Sequence, residues 1–282
     1  MQACQRVVDL RQRLHTERTA GKRIAFVPTM GNLHEGHLQL IRLARSHADV
    51  VVASIFVNPL QFGLNEDWEQ YPRTLERDSE MLALEGCDLL FCPTERDMYP
   101  NGMETQTKVE VPTMTNILCG ASRPGHFLGV TTVVAKLFNM VQPDSAVFGI
   151  KDYQQLAVIR RMTEDLCIPV ELIAAPIARA NDGLALSSRN GYLTPDERQL
   201  AVALYRILGE TQQQISQGRR DYAQLEKESC LTLAESGLRP DYFSIRQTKT
   251  LEQAQPDDTD LVLLGAVYLG KTRLIDNVTL HI

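Results

Sequence analysis

Two histidines stand three residues apart in Val27-Pro28-Thr29-Met30-Gly31-Asn32-Leu33-His34-Glu35-Gly36-His37. The segment leaves an apolar, strand-type run, Ile24-Ala25-Phe26-Val27, and enters the helix-period stretch Leu38 to Ser46. A helix N-terminus offers unpaired N–H groups and partial positive charge, so this turn is a natural phosphate site. Gly31 permits a tight turn, and Gly36 leaves room for a ligand against the helix. The spacing predicts that His34 and His37 share one helical face, where both can donate to phosphoryl oxygens. The rival readings are metal ligation and a plain structural role. His-Glu-Gly-His lacks the four-residue spacing of the helical zinc motif. The one Gly-x-x-x-x-Gly-Lys-Thr string, Gly265 to Thr272, runs from strand-like Leu261–Leu269 into strand-like Arg273–Ile275 rather than from a strand into a helix, so a nucleotide would need the other major α/β solution.

Four further segments carry polar groups at the ends of regular elements. Phe56-Val57-Asn58-Pro59-Leu60-Gln61-Phe62-Gly63 follows a second strand and supplies the neutral amides of Asn58 and Gln61 beside apolar Leu60 and Phe62. A Pro-Gly loop without ligands is the alternative there. Phe148-Gly149-Ile150-Lys151-Asp152-Tyr153-Gln154-Gln155 is again a strand end running into a helix. A lysine at a helix N-terminus opposes the dipole unless an anion sits there, so Lys151 favours a phosphate partner. Asp152 suits an N-cap, and a place near Mg²⁺ is the other option. Asp182-Gly183-Leu184-Ala185-Leu186-Ser187-Ser188-Arg189-Asn190 combines two hydroxyls and a guanidinium in a Gly-led loop, which suits polyphosphate. Arg123-Pro124-Gly125-His126-Phe127 and Tyr71-Pro72-Arg73-Thr74-Leu75-Glu76-Arg77-Asp78 offer polar loop residues of open role.

These segments need a scaffold. Strand-length apolar runs at Ile24–Val27, Val50–Val57, Leu89–Cys92, Ala146–Phe148 and Val170–Ile173 alternate with helix-period stretches, among them Thr74–Glu85, Val130–Val141 and Tyr153–Leu166. Such alternation predicts an α/β fold, a Rossmann-like doubly wound parallel sheet with helices on both faces. Ligands of such sheets bind at the carboxyl ends of the strands. After about Pro176 the pattern changes. Thr194-Pro195-Asp196-Glu197 is a capping-box helix start. Helices to about Gln217 and over Tyr222–Ser236 precede strand-like Tyr242–Arg246, Leu261–Leu269 and Arg273–Ile275. The expectation is a domain over 1–176 and a smaller α+β C-terminal domain over 177–282.

The chain has 282 residues, 44% hydrophobic, and a formal net charge of −6. That is a globular composition, and its sign argues against nucleic-acid binding, which needs a basic surface. Met1 to Lys22 is charged and helix-like, without the apolar core of a secretory signal. The apolar runs, Val50-Val51-Val52-Ala53 being typical, are too short for a membrane span. Six scattered cysteines without a Cys-x-x-Cys pair read as reduced, buried thiols of a cytoplasmic protein, with a metal or disulfide framework as the alternative.

Taken together, the segments resemble the pantothenate synthetases, or pantoate–β-alanine ligases, of the HIGH-motif nucleotidyltransferase superfamily. The resemblance runs over nearly the whole chain. It is carried by Pro28-Thr29-Met30-Gly31 with His34-x-Gly-His37, Phe56-Val57-Asn58-Pro59 with Gln61-Phe62, Tyr71-Pro72-Arg73-Thr74, Arg123-Pro124-Gly125-His126-Phe127, Lys151-Asp152 with Gln154-Gln155, and Leu186-Ser187-Ser188-Arg189-Asn190. Ile150 departs from the pattern, since the family more often has a polar residue there. The resemblance implies that ATP, (R)-pantoate and β-alanine give pantothenate, AMP and diphosphate through a pantoyl adenylate. It implies ATP contacts by Met30, Gly31, Asn32, Leu33, His34, Glu35, Gly36, His37, Gly149, Ile150, Lys151, Asp152, Leu186, Ser187, Ser188 and Arg189. It gives His34, His37 and Lys151 the catalytic roles, with His37 as proton donor. Pantoate falls to Gln61 and Gln155, and β-alanine to Gln61. Mg²⁺ without an assigned protein ligand, a homodimer, and a C-terminal domain that closes over the ATP site are further implications.

AMP is a good leaving group, so no covalent protein nucleophile is required. Asp78 is a candidate for the β-alanine ammonium group. A nucleotidyltransferase that adds AMP or CMP to a phosphorylated acceptor is the rival enzyme class, and the loop around Gln61 speaks against it. A tRNA synthetase is disfavoured by the acidic charge, and a non-catalytic nucleotide sensor by the intact His34, His37 and Lys151.

Overall fold

The computed structural model describes residues 1–63, 68–69 and 71–282. They form two compact units, Met1–Ile150 with Val158–Pro176, and Lys151–Ala157 with Ile177–Ile282. The second unit thus takes in a segment well before Pro176.

The first unit is built on six parallel strands: β1 Gln2–Cys4, β2 Ile24–Thr29, β3 Val50–Ile55, β4 Leu89–Phe91, β5 Ser145–Gly149 and β6 Glu171–Ala175. Their order is β1-β4-β3-β2-β5-β6, every neighbouring pair parallel. The central strands read as unbroken apolar runs because both faces are covered. Ala25 and Val27 pack on one face with Ile41 and Ala44 of the helix Glu35–Arg45 and Leu82 of the helix Leu75–Leu84. On the other face Phe26 meets Phe138 of the helix His126–Val141 edge-on, at 6.5 Å between ring centroids.

The chain winds outward from β2 through β3 to β4, then returns to lay β5 on the opposite side. That reversal makes the switch point where such sheets bind ligands. The pairing opens a crevice there. All six residues of β2 pair with β3, whereas only Ala25 and Phe26 pair with β5. The carboxyl ends of β2 and β5 therefore part, and each leads into one of the phosphate-type turns.

Two expectations need correction. The first residues are not helical: Gln2–Cys4 is an edge strand on β4, and the helix spans Val7–Thr19. A three-residue strand is too short to show a period. The helix ending at Val141 begins at His126, four residues earlier than its apolar pattern, after Gly125 in the left-handed conformation.

The second unit carries the antiparallel strands β7 Arg239–Gln247, β8 Asp260–Leu269 and β9 Thr272–His281. The helices Ala203–Ser216 and Tyr222–Glu235 join this sheet in one core through Leu204, Ile207, Leu225 and Leu233 against Phe243, Leu263 and Val267. The stretch from Thr194 to about Gln217 holds two helices: Pro195–Leu200, capped by Thr194 and Glu197, stops before Ala203–Ser216 begins. Strand β9 runs far beyond Arg273–Ile275, and its pairing with β8 carries Asp276 and Asn277.

Candidate active site

The turn after β2 is pinned from beneath. Thr29 Oγ1 donates to the Ser54 carbonyl at 2.8 Å and accepts from Gly31 N–H at 3.2 Å. Gly31 has φ +79°, and a Cβ there would lie 3.0 Å from Ile55 Cγ2 and 3.1 Å from Asp78 Oδ2. Only glycine suits that conformation and space. Asp78 is fully buried. Its carboxylate accepts from Asn32 N–H at 2.8 Å, Leu33 N–H at 2.9 Å and Thr74 Oγ1 at 3.1 Å. The expected ammonium ligand is instead the anchor of the turn. Hydrogen bonds to a charged group contribute about 1.5–3 kcal/mol each, enough to fix the backbone that presents His34.

The two histidines stand side by side as the spacing predicts, but only His37 lies within the helix. His34 is the N-cap, with extended backbone (φ −139°, ψ 174°), and the helix starts at Glu35. His37 is the third helical residue. Gly36 N–H donates to His34 Nδ1 at 3.1 Å, and His34 N–H donates to His37 Nδ1 at 3.3 Å. The ring centroids are 4.2 Å apart. A backbone N–H is only a donor, so both Nδ1 atoms act as acceptors. The neutral tautomer with hydrogen on Nε2 follows for both rings. Caps normally use Ser, Thr, Asp or Asn. Two imidazoles here satisfy first-turn N–H groups and each place an N–H at the far side of the ring.

Gln61 is held from three directions. Its 3₁₀ turn, Pro59–Gln61, is capped by Asn58. Leu60 N–H donates to Asn58 Oδ1 at 3.3 Å, and Tyr99 Oη donates to the same oxygen at 2.6 Å. Asn58 Nδ2 therefore faces the Gly129 carbonyl at 3.1 Å and Gln61 Oε1 at 3.3 Å. That occupies the carbonyl end of the Gln61 amide and turns Nε2 toward Met30, 2.6 Å from its sulfur. Asn58, Gln61 and Tyr99 are all buried, and burial pushes the Tyr99 phenol well above its usual range. Arg123 and His126 bind the Gln61 carbonyl at 3.3 and 2.7 Å. Since a carbonyl only accepts, His126 Nδ1 carries hydrogen, and Arg123 Nη1 donates to His126 Nε2 at 3.0 Å. Gly129 lets this helix approach, because a Cβ there would fall 2.2 Å from the Leu60 carbonyl oxygen.

Met30 and Gln61 are thus in contact, and Asn58, Arg123 and His126 support Gln61 without a sequence signal that assigned them that task. Tyr99 was not legible as a site residue: Asp97-Met98-Tyr99-Pro100 has no periodicity and no motif.

The remaining candidates lie after β5 and in the second unit. Gly149 ends β5, and Ile150, Lys151 and Asp152 form a 3₁₀ turn before the helix Tyr153–Asp165. Asp152 belongs to that turn, and its Oδ2 lies 3.9 Å from Lys151 Nζ. The lysine thus has a local carboxylate, a partial answer to the dipole argument. Gln155 sits in the first turn of the helix, partly exposed. Ser187 caps the 3₁₀ helix Ser188–Tyr192, accepting from Arg189 N–H at 3.2 Å, and Asn190 Nδ2 holds the Ala185 carbonyl at 3.0 Å. Leu186, Ser187, Ser188 and Arg189 are all partly exposed.

The six cysteines are all free thiols. Cys87 is buried, and desolvation pushes its thiol up to about 11. Cys167 is exposed, against the expectation of burial for the whole set. Among the described residues no helix is long and apolar enough to cross a membrane.

The family model for pantoate–β-alanine ligase matches residues 2–279. The chain belongs to the pantoate–β-alanine ligase family. It is 60% identical to the pantothenate synthetase of Cellvibrio japonicus (strain Ueda107), over 99% of both chains. The crystal structure of a pantothenate synthetase from Thermus thermophilus superposes with a TM-score of 0.91 at 46% identity, again over 99% of both. A pantoate–β-alanine ligase from Francisella tularensis, whose crystal structure is a complex with β,γ-ATP and β-alanine, gives 0.79 at 36% identity over 99% of this chain and 97% of that one. The ligase fold, six parallel strands with a smaller three-stranded antiparallel unit, is accordingly the fold described above.

Proposed function

We propose that this chain condenses (R)-pantoate with β-alanine at the expense of ATP, through a pantoyl adenylate, in pantothenate and coenzyme A biosynthesis. The observation that carries this reading is the His34–His37 pair at a helix N-terminus, in a turn whose Met30 touches Gln61, in a chain of this family. The nucleotide-bound Francisella ligase supports the choice of ATP and β-alanine.

In the first step a pantoate carboxylate oxygen attacks the α-phosphorus of ATP. The bond to the bridging oxygen breaks, and diphosphate leaves. Carboxylate and triphosphate repel one another, so catalysis is positioning and charge stabilisation. The turn Met30–His37 supplies backbone N–H groups and two imidazole N–H donors. Each well-aimed donor is worth about 3 kcal/mol in the transition state. His37 takes the place the family gives to a proton donor, and in its neutral form its Nε2–H offers a hydrogen bond to the departing diphosphate. Gly149, Ile150, Lys151, Asp152, Leu186, Ser187, Ser188 and Arg189 complete the ATP contacts. Gln61, with Nε2 turned to the Met30 side by Asn58, offers a neutral donor to the acid, and Gln155 is its companion amide. In the second step the β-alanine amine, deprotonated, attacks the acyl carbon. The carbon–oxygen bond to phosphate breaks, AMP leaves, and the nitrogen releases one proton to solvent as the amide forms. Gln61 also contacts β-alanine.

Asp152, the exposed carboxylate of the turn, would offer an oxygen ligand to a nucleotide-bound Mg²⁺, which would neutralise phosphate charge. A homodimer, a cytoplasmic location, a nucleotide- and pantoate-binding domain over 1–176 and a lid role for 177–282 belong to the same proposal. Incubation with ATP, Mg²⁺, pantoate and β-alanine tests it. AMP is expected only when both acids are present with ATP in multiple turnover. AMP that forms without dependence on either acid rejects the ligase.

A further inference from the structure

The segments that carry Lys151 and Ser187–Arg189 lie far apart in sequence, yet two adjacent residues of β9 hold both. Asn277 Nδ2 donates to the Lys151 carbonyl at 2.9 Å. Its own N–H donates to Asp276 Oδ1 at 2.8 Å. Asp276 grips Arg179 through two hydrogen bonds, 2.6 and 2.9 Å, and is 4% exposed. Arg179 in turn donates to the Gly183 carbonyl at 2.9 Å and stacks on the Tyr205 ring, 3.7 Å from its centroid. The backbone of that hairpin is closed by Ala180 N–H to Leu184 and Leu186 N–H to Ala178, both 2.8 Å. Gly183 is required in its place, with φ +95° and a virtual Cβ 2.6 Å from Tyr205.

The geometry points to Asn277 as a positioning residue for Lys151, with Asp276 and Arg179 setting the Leu186–Arg189 segment from the same strand. Buried bidentate pairs of this kind fix geometry more than they add stability. Asn277 is 2% exposed and sits in the middle of the β8–β9 ladder, so the Lys151 carbonyl is tied to a rigid element. A 3₁₀ turn of three residues has little order of its own. Its register is taken from Asn277. The inference deepens the ligase reading in one respect: it names what aims the lysine assigned to the phosphates.

Two readouts test it. The first does not depend on ligase activity. Amine acylation at Lys151, followed by peptide mass spectrometry on the folded protein, is expected to accelerate severalfold in Asn277→Ala and in Asn277→Asp, while other lysines keep their rates. The alanine variant removes the side chain, the aspartate variant is isosteric and removes only the amide donor, and urea unfolding of each identifies a folded variant on which the rates are read. The second is a double-mutant cycle on single-turnover adenylate formation. Asn277→Asp is expected to slow it about tenfold in the wild-type background and not at all on Lys151→Ala, with the KM for pantoate unchanged. Unaltered Lys151 acylation, or losses that multiply across the cycle, overturns the inference. A wild-type protein that forms no adenylate instead rejects the ligase reading, and the acylation rates still decide the role of Asn277.

Discussion

The backbone N–H of His34 donates to Nδ1 of His37 at 3.3 Å, while Nδ1 of His34 accepts from Gly36 at 3.1 Å. The two residues cap one helix reciprocally with the same ring atom. The ring nitrogens turned away from the cap are then both donors. An anion arriving at the helix N-terminus meets N–H groups that need no rearrangement. In the proposed reaction each imidazole therefore has a structural atom, Nδ1, and a chemical one, Nε2.

That division is separable. Asparagine at position 37 places an amide oxygen near the Nδ1 position but nothing at Nε2. His37→Asn should keep thermal stability within about 1 kcal/mol, the scale of a cap, and lower single-turnover adenylate formation at least about 100-fold. His37→Ala should lose both. Near-normal rates in His37→Asn would remove the Nε2 donor from the chemistry.

Asp78 supports the turn rather than a substrate. In Asp78→Asn one of the two carboxylate oxygens that now accept from Asn32, Leu33 and Thr74 becomes an N–H₂ group facing donors. A loss of about 2–3 kcal/mol in urea unfolding is expected, together with a raised KM for ATP. A selective rise in the KM for β-alanine, with stability intact, would restore Asp78 to the ammonium site.

Tyr99 orients Gln61 through Asn58 and touches no candidate substrate contact directly. Loss of one neutral hydrogen bond is worth about 1 kcal/mol. Tyr99→Phe should therefore raise the KM for pantoate about fivefold and leave that for ATP unchanged. Equal changes in both constants would make Tyr99 a packing residue only.

Cys87 supplies a pH signature. Its thiol is pushed up to about 11 by burial, against an ordinary value of 9.0. Above pH 9 the unfolded chain releases this proton while the folded protein keeps it, so stability falls between pH 9 and 11. At pH 10 the contribution is about 1 kcal/mol. Urea unfolding at pH 8 and 10 should show a smaller decline in Cys87→Ala than in the wild type. An equal decline would place the effect elsewhere.

The parallel sheet was legible because β2, β3 and β5 are apolar on both faces, and unbroken runs such as Ile24–Val27 advertise that. The turn at Gly31 and His34 was legible because strand-end glycines and paired histidines are local signals. The cap was not: whether His34 starts the helix or precedes it depends on Asp78, which fixes Asn32 and Leu33 from 46 and 45 residues away. The edge strand Gln2–Cys4 exists only through its pairing with β4. Tyr99, Asp276 and Asn277 act through contacts 41 to 126 residues away in the chain, and single-sequence patterns hold no record of such distances.

In the proposed reaction pantoate is activated as an acyl adenylate at the turn carrying His34 and His37. Pantoate labelled with ¹⁸O in both carboxylate oxygens, turned over with ATP and β-alanine, tests it directly. Transfer of one ¹⁸O to AMP is the predicted result, since the attacking oxygen stays with phosphorus when the amide forms. AMP without label would contradict the account.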